Sequence, residues 1–392
     1  MDKREFEIQL REKIIPYWEE MCDRENGGYY GLKDFDLHID RKAVKGGILN
    51  SRILWFFAEA YRLLHEEELL FYADHAYAFL TRRLIDPDAG GVFWSVNFDG
   101  TPDDTAKHTY NQAFAIYALA AYYRASGSRE ALDTAEKLHA VIEEKCKDAS
   151  GYRESFDRYW KQSGNEKLSE DGYMASRTMN TVLHVMEAYT GLCEASPSAK
   201  CRRDLMDTAD MFSRQIYNPA EKHLEVFFDQ KMKSISDLYS YGHDIEASWL
   251  LDRATDTVGD AEFTGKIHRI TDILAEGVLE NGFDGNSVNN ECLKGTVDQT
   301  KVWWVQAEAV VGFTNAYFKT GDIRYRTAAD RIWDYIKMHF IDPRQGGEWF
   351  WDLSPEGTPD SRKPITEPWK CPYHNGRMCM EMIRRLEKAA EE

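Results

Sequence analysis

Six strongly apolar, alanine-rich stretches recur along the chain with helical spacing of their hydrophobic residues. They are "SRILWFFAEAYRLL" from Ser51, "TYNQAFAIYALAAYYRASG" from Thr109, "RTMNTVLHVMEAYTGL" from Arg177, "IEASWLLDRA" from Ile245, "VWWVQAEAVVGFTNAYFKTG" from Val302 and "YHNGRMCMEMIRRL" from Tyr373. A helix that is apolar nearly all round must be buried. Between them run stretches that mix charge with apolar residues, such as "EELLFYADHAYAFLTRRLI" from Glu67 and "KCRRDLMDTADMFSRQIY" from Lys200. These read as helices with one wet face. About twelve helices in six pairs predict an all-α fold, an (α/α)6 barrel with six inner and six outer helices. An open helical solenoid is the alternative, but solenoid repeats are shorter, roughly 34–47 residues. The period here is about 65 residues, which favours a closed ring. With no linker-like Pro/Ser stretch, residues 1–392 read as a single barrel domain.

A loop theme repeats between the helices. It opens as Asn26-Gly27-Gly28-Tyr29-Tyr30 and returns in "DAGGVFWSVNFDGTPDD" from Asp88 and "QGGEWFWDLSPEGTPD" from Gln345. "ASGYRESFD" from Ala149 and "KHLEVFFD" from Lys222 are degenerate copies. Turn residues followed by an aromatic run predict short β-hairpin loops.

Composition narrows the partners. The net charge is −18, which argues against nucleic acid and anionic membrane surfaces. Seven cysteines at 22, 146, 193, 201, 292, 371 and 379 show no close-spaced zinc pattern, and the odd count makes a disulfide framework improbable. The N-terminal stretch has no apolar signal core, and no segment reaches roughly 18 consecutive apolar residues, so the cytoplasm is the default location. Eleven tryptophans and 21 tyrosines would suit either sugar stacking or a large helical core.

Polar and aromatic residues mark the N-terminal end of each apolar helix. These are Arg52, Tyr110 with Asn111, Asn180 with His184, His243 with Glu246, Trp303 and Trp304 with Glu308, and His374 with Asn375. From Arg52 through Tyr110, Asn180, His243, Trp304 and His374 the intervals are 58, 70, 63, 61 and 70 residues. In a ring of parallel inner helices they converge on one axial pocket. Tyr110 and Phe114, Asn180 and His184, and Trp304 and Glu308 are four apart, and His243 and Glu246 three apart, so each pair shares a helix face. Three histidines could in principle supply a zinc site. However, HxxE is a weak motif and Arg52 would repel a cation, so no metal is expected. A base with an orienting carboxylate fits better, with Glu308 as the candidate partner of His374. His65, His75, His139, His223, His268 and His339 fall on outer helices or loops and are expected to face solvent, whereas His108 could line the mouth.

The stretches "ILNSRILWFFAEAY", "KHTYNQAFAIYALAAYYRASG", "SYGHDIEASWLLDRA", "KVWWVQAEAVVGF", "GGEWF" and "PWKCPYHNGRMCME" resemble the N-acylglucosamine 2-epimerase superfamily, and within it the branch acting on β-1,4-linked disaccharides such as cellobiose. The resemblance covers nearly the whole chain. It implies the same barrel, no metal, no nucleotide cofactor, and C2 epimerisation of the reducing-end glucose through a cis-enediolate. It implies that His243 and His374 act on opposite sides of C2, that Arg52 and His184 hold the enediolate, and that Glu246 and Glu308 stand behind the two histidines. It places Tyr110, Asn180, Trp303, Trp304 and Trp369 against the sugar. The chemistry suits the residue types. A neutral histidine exchanges protons near pH 7, Arg52 can hold a developing oxyanion bidentately, and His184 can donate a second bond. Aldose–ketose isomerisation or N-acylglucosamine epimerisation would use similar residues. Glycoside hydrolysis or lyase action with Glu246 and Glu308 as the carboxylates, and a solenoid interaction module, are more distant readings. The expected partner is a small oligosaccharide substrate, with no nucleic acid or membrane, and the protein is expected to act as a monomer.

Overall fold

A computed structural model of the protein describes residues 1–164 and 175–391. The helices are α1 (Lys3–Gln9), α2 (Ile15–Glu20), α3 (Gly47–Leu64), α4 (Glu67–Phe79), α5 (Thr109–Ser126), α6 (Arg129–Val141), α7 (Met179–Ala195), α8 (Ala199–Met211), α9 (Tyr241–Val258), α10 (Ala261–Gly277), α11 (Trp303–Thr320), α12 (Ile323–Tyr335) and α13 (Tyr373–Glu391). A π-turn, Leu10–Ile14, joins α1 to α2 as one rod, so twelve rods form. The inner helices α3, α5, α7, α9, α11 and α13 each pack on the next, and α13 packs on α3. This is the (α/α)6 barrel that the alternating pattern predicts. Residues 47–60 of α3 and 109–122 of α5 are buried without interruption, as inner helices must be. The ring is sewn shut where Ile365 N donates to Lys33 O (2.9 Å) and Lys3 pairs with Glu387 (2.9 Å).

The periodicity does not reveal that each of the other outer helices also ends in a π-turn: Leu80–Leu84, Ile142–Cys146, Phe212–Ile216, Val278–Gly282 and Ile336–Phe340. The first and fifth residues of each turn are buried. Widening the helix by one residue lets both reach the inner layer before the chain leaves for its hairpin.

The hairpins do more than connect. A short strand leads into an inner helix and pairs antiparallel with the hairpin that follows that helix. Lys45–Gly46 pairs with Ser95–Val96, Lys107–His108 with Ser155–Phe156, Arg177–Thr178 with Phe227–Phe228, and Lys301–Val302 with Asp352–Leu353. The first N–H of each of these helices then donates to that same hairpin: Gly47 N to Trp94 O (2.8 Å), Thr109 N to Glu154 O (3.0 Å), Met179 N to Val226 O (2.9 Å) and Trp303 N to Trp351 O (3.0 Å). These N–H groups have no partner inside their own helix, so each repeat caps the helix of the one before it. A second contact recurs within a repeat. Gln112 accepts from Val92 N (2.6 Å) and donates to Val92 O (2.9 Å), and Gln306 holds Val288 N and O in the same way (2.9 and 2.8 Å). Asn50 accepts from Tyr29 N (3.2 Å) and Asp244 from Leu224 N (3.0 Å).

Buried ion pairs lock the first two lead-in strands to their own hairpins. Lys45 meets Asp23 at 2.6 Å and Lys107 meets Asp86 at 3.2 Å, with all four side chains 0% exposed. Removing one partner leaves the other charge buried and unpaired. Lys45→Met should therefore cost about 3–5 kcal/mol, read as a lower urea midpoint, and adding Asp23→Asn should recover part of that loss. An unchanged midpoint in Lys45→Met would show that the pair does not lock the hairpin.

Candidate active site

The ring of hairpins sits at the N-terminal ends of the inner helices, and the first turns of those helices face one another there. Arg52 of α3 is 3% exposed. It donates to Tyr110 Oη (2.8 Å) and to the carbonyl of Trp369 (3.2 Å). Its guanidinium carbon lies 4.1 Å from the Phe114 ring centre and 4.6 Å from that of Tyr373. Its Nε has no partner among the described residues. His184 of α7 packs on Tyr110 (5.1 Å) and Phe114 (4.8 Å). His243 of α9 and His374 of α13 both contact the ring of Trp304, at 4.8 and 5.4 Å. Ser240 Oγ caps α9 by accepting from His243 N (3.3 Å).

Gly242 explains the position of Trp304. A Cβ on residue 242 would lie 2.6 Å from the Trp304 ring and 2.7 Å from Val305 Cγ2, so only glycine lets that ring settle against α9.

Below these residues lies a buried charge cluster centred on Arg377, which the sequence reading does not single out. Its Nη2 donates to Glu246 Oε1 (2.5 Å) and Glu308 Oε1 (2.7 Å), and its Nη1 to Glu187 and to the Tyr373 hydroxyl. Tyr373 also donates to Glu187, and Trp249 Nε1 to Glu308 Oε2 (3.0 Å). Arg377 stands three residues beyond His374, and Glu187 three beyond His184, so helical spacing could have found both.

The partnerships differ from the expected set in one respect. His374 Nδ1 meets Glu308 Oε1 at 2.7 Å, as expected. Glu246 does not stand behind His243: it bonds Arg377 and lies 4.0 Å from His374. The i, i+3 histidine–glutamate contact occurs instead at His184 Nδ1 and Glu187 Oε2, 2.9 Å apart. His243 Nδ1 has no partner among the described residues.

Burial governs the titration of the site. It pushes His243 down to about 3, helped by His184, even though that ring keeps some exposure to the pocket. Burial also pushes His374 well below the usual histidine value, with Arg377 adding to the effect. Both rings are neutral at pH 7. Burial raises Glu246, and its neighbour Glu308 raises it further. Burial raises Glu308 as well. The two carboxyls face one guanidinium nitrogen, which disfavours the ionisation of both at once. Glu187 goes the other way. Burial opposes its ionisation, but Arg377 and then His184 outweigh it and bring it to about 2.

Glu246, Glu308 and His374 bring ligand-type atoms within 4.8 Å of one another. A metal ion does not fit there, because the cationic Arg377 Nη2 already bonds the Oε1 atoms of both glutamates.

The remaining marked residues divide. Asn180, Trp304 and Trp369 are half-buried, and Asn180 Oδ1 has no partner among the described residues. Trp303 is only 4% exposed and packs on Trp351 (4.7 Å), so it backs the site rather than facing it. Asn111 and Asn375 are structural and donate to Phe93 O (2.8 Å) and Glu348 (2.7 Å). His108 is buried under Trp94 (4.5 Å), with its Nε2 on Ser155 (3.2 Å). His139 is buried 3.0 Å from Asp204 rather than facing solvent, because its ring packs on Tyr189 of α7 (4.5 Å). His75 reaches Gly28 O (3.0 Å), and His223 stacks on Tyr239 (4.3 Å). All seven cysteines are buried thiols. No described helix is long and apolar enough to cross a membrane.

The sequence model of the family described as N-acylglucosamine 2-epimerase (GlcNAc 2-epimerase) matches residues 27–375. The chain belongs to that family. It is 48% identical to a cellobiose 2-epimerase from Eubacterium cellulosolvens over 392 residues, covering 96% of each protein. A solved sugar epimerase from a ruminal bacterium superposes with a TM-score of 0.97 at 47% identity, covering 98% of this chain and 99% of that one. A solved cellobiose 2-epimerase from Bacillus thermoamylovorans gives 0.94 at 44% identity, with 98% and 99% covered.

The geometry separates two tryptophans. Trp304→Ala should raise KM about tenfold through the lost ring contact, with a small change in melting temperature. Trp303→Ala should cost about 3–5 kcal/mol of stability. Equal stability losses in the two variants would place Trp304 in the core instead.

Proposed function

We propose that this chain inverts C2 of the reducing-end glucose of cellobiose and related β-1,4-linked disaccharides, lactose included, reversibly and without a cofactor. It is a carbohydrate epimerase, an isomerase by class. One observation carries the mechanism: two neutral histidines, His243 and His374, meet the same tryptophan ring beside a fixed cation, Arg52.

The ring must first open so that the C1 carbonyl acidifies the C2 proton. A neutral ring nitrogen of His243 then takes that proton, and the C–H electron pair moves into a C1–C2 double bond. Negative charge appears on O1, where Arg52 holds it in a site closed to bulk water. Reprotonation comes from His374 on the other face. Its Nε2–H goes to C2 while the proton retained by the carboxyl pair passes from Glu308 to Nδ1. His243 ends as imidazolium and Glu308 as carboxylate, so charge balances. The reverse reaction retraces these steps. Trp304 and Trp369 offer flat faces to the sugar, with Tyr110, Phe114 and Asn180 at its edge. The residues of this scheme all lie in one barrel, which supports reading the chain as one catalytic unit. Seven unpaired cysteines suit the reducing cytoplasm.

Glycoside hydrolysis fits poorly. Glu246 and Glu308 present oxygens within 4.8 Å of each other across Arg377, whereas hydrolytic carboxyls flank a bond at about 5–5.5 or 6.5–9.5 Å. The decisive test is incubation with cellobiose, then acid hydrolysis and identification of the reducing-end sugar. Mannose from an intact disaccharide is the expected product, with activity surviving chelator. Free glucose without added acid, or a ketose as main product, would overturn the proposal.

The retained proton sets the pH response. A raised carboxyl holds its proton at neutral pH and loses it as pH rises through the raised value. Epimerisation should therefore decline on the alkaline side. Glu246→Gln, which cannot ionise, should shift or flatten that limb in a pH–rate profile. An identical alkaline limb in the variant would remove the carboxyl pair from the proton path.

A further inference from the structure

We propose that Glu187 is a positioning residue that holds His184 in the tautomer with its proton on Nδ1, so that Nε2 presents a lone pair and accepts a hydrogen bond from a sugar hydroxyl. This deepens the epimerase reading and rests on it for the identity of the hydroxyl. It reverses the donor role that the residue type alone suggests.

The geometry fixes Glu187 from three sides. Its Oε2 takes His184 Nδ1 at 2.9 Å and the Tyr373 hydroxyl, and its Oε1 takes Arg377 Nη1. Glu187 is 2% exposed, His184 3%, Arg377 1% and Tyr373 0%. With a guanidinium and a phenol both donating to it, the carboxylate is ionised and has no proton to give. The bond to His184 must then be Nδ1–H donating to Glu187. Burial lowers His184; Glu187 works against this, but Arg52 and Arg377 add to the lowering and the net direction is downward, so the ring is neutral. A neutral ring protonated on Nδ1 is bare at Nε2.

The arrangement has a chemical use. A cis-enediolate monoanion carries one oxyanion and one hydroxyl. Arg52, whose guanidinium packs on Tyr110 and Phe114 beside His184, takes the oxyanion. His184 Nε2 takes the O–H. A donor at both places would favour a dianion, and Arg52 supplies only one charge. One cation and one acceptor match the monoanion.

The His374 pair is the internal contrast. Glu308 has the same contact to Nδ1, at 2.7 Å, but burial raises its carboxyl and that of Glu246 nearby, so it can accept from Nδ1 or donate to it and permits either tautomer. His374 is thereby free to relay a proton, and His184 is not.

The test is the ¹⁵N spectrum of the sugar-free protein labelled at histidine, with His184 assigned by its loss in His184→Asn. At neutral pH the expected pattern is a protonated Nδ1 and an unprotonated Nε2. Protonation on Nε2 alone, or on both nitrogens, would overturn the proposal, and this readout needs no variant at Glu187 to fold. Glu187→Gln can donate from its amide to Nδ1. It should bring in the Nε2–H tautomer and lower kcat about 10²–10⁴-fold, with a smaller change in KM. Glu187→Asp, which keeps the charge, should retain the Nδ1–H tautomer and more of kcat. A Glu187→Gln protein that switches tautomer yet keeps full kcat would also refute the role. Because the spectrum is taken without substrate, its outcome is independent of the cellobiose product test. A failed tautomer assignment and a failed epimerase reading are therefore distinguishable.

Discussion

A single buried guanidinium ties the barrel together at its axis. Arg377, on the last helix, bonds Glu187 on α7, Glu246 on α9 and Glu308 on α11. Four inner helices thus meet through one cation, and three carboxyls compete for it. One cation cannot keep three buried carboxylates ionised. The structure resolves this asymmetrically. Glu187 gains a phenol and a histidine donor and stays charged, while Glu246 and Glu308 share one nitrogen, which disfavours the ionisation of both at once. The functional differences between the histidines follow from that split. His184 is held by a charged partner, His374 is paired with a carboxyl whose ionisation burial disfavours, and His243 Nδ1 has no partner among the described residues.

The hairpin ring explains why this cluster lies where it does. In α3, α5, α7 and α11 the hairpin of the next repeat caps the inner helix, so these N-terminal turns are held largely by backbone bonds. Those side chains are left free to point at the axis. Inner helices running in one sense also direct their positive dipole ends toward the pocket. That field favours an enediolate and disfavours imidazolium, in keeping with the depressed histidines. The buried Lys45–Asp23 and Lys107–Asp86 pairs fix the strands from which α3 and α5 start.

Much of this was legible in the sequence. The alternation of all-apolar and amphipathic stretches identifies inner and outer helices, and the ring of marked positions at helix starts finds Arg52, Tyr110, His184, His243, Glu308 and His374. Contacts that depend on how helices rotate about their axes were not legible. His243 and Glu246 share a spacing with His184 and Glu187, yet only the second pair bonds. The rotation of α9 turns Glu246 toward Arg377, and spacing cannot report that. Arg377 reads as an ordinary charge in "HNGRMC" until three carboxylates from distant repeats are seen around it. Trp303 and Trp304 are neighbours in sequence, but one turns into the wall and the other into the pocket. The π-turns and the capping of one repeat by the next carry no local signature.

The central claim is that C2 is deprotonated on one face by one histidine and reprotonated on the other face by a second. Epimerisation of cellobiose in D₂O, stopped at low conversion and read by NMR, tests it most directly. Both histidines exchange with solvent, so the new epimer should carry deuterium at C2. An epimer that keeps its original C2 hydrogen would mean that one proton or hydride travels with the carbon, and would contradict the two-histidine account.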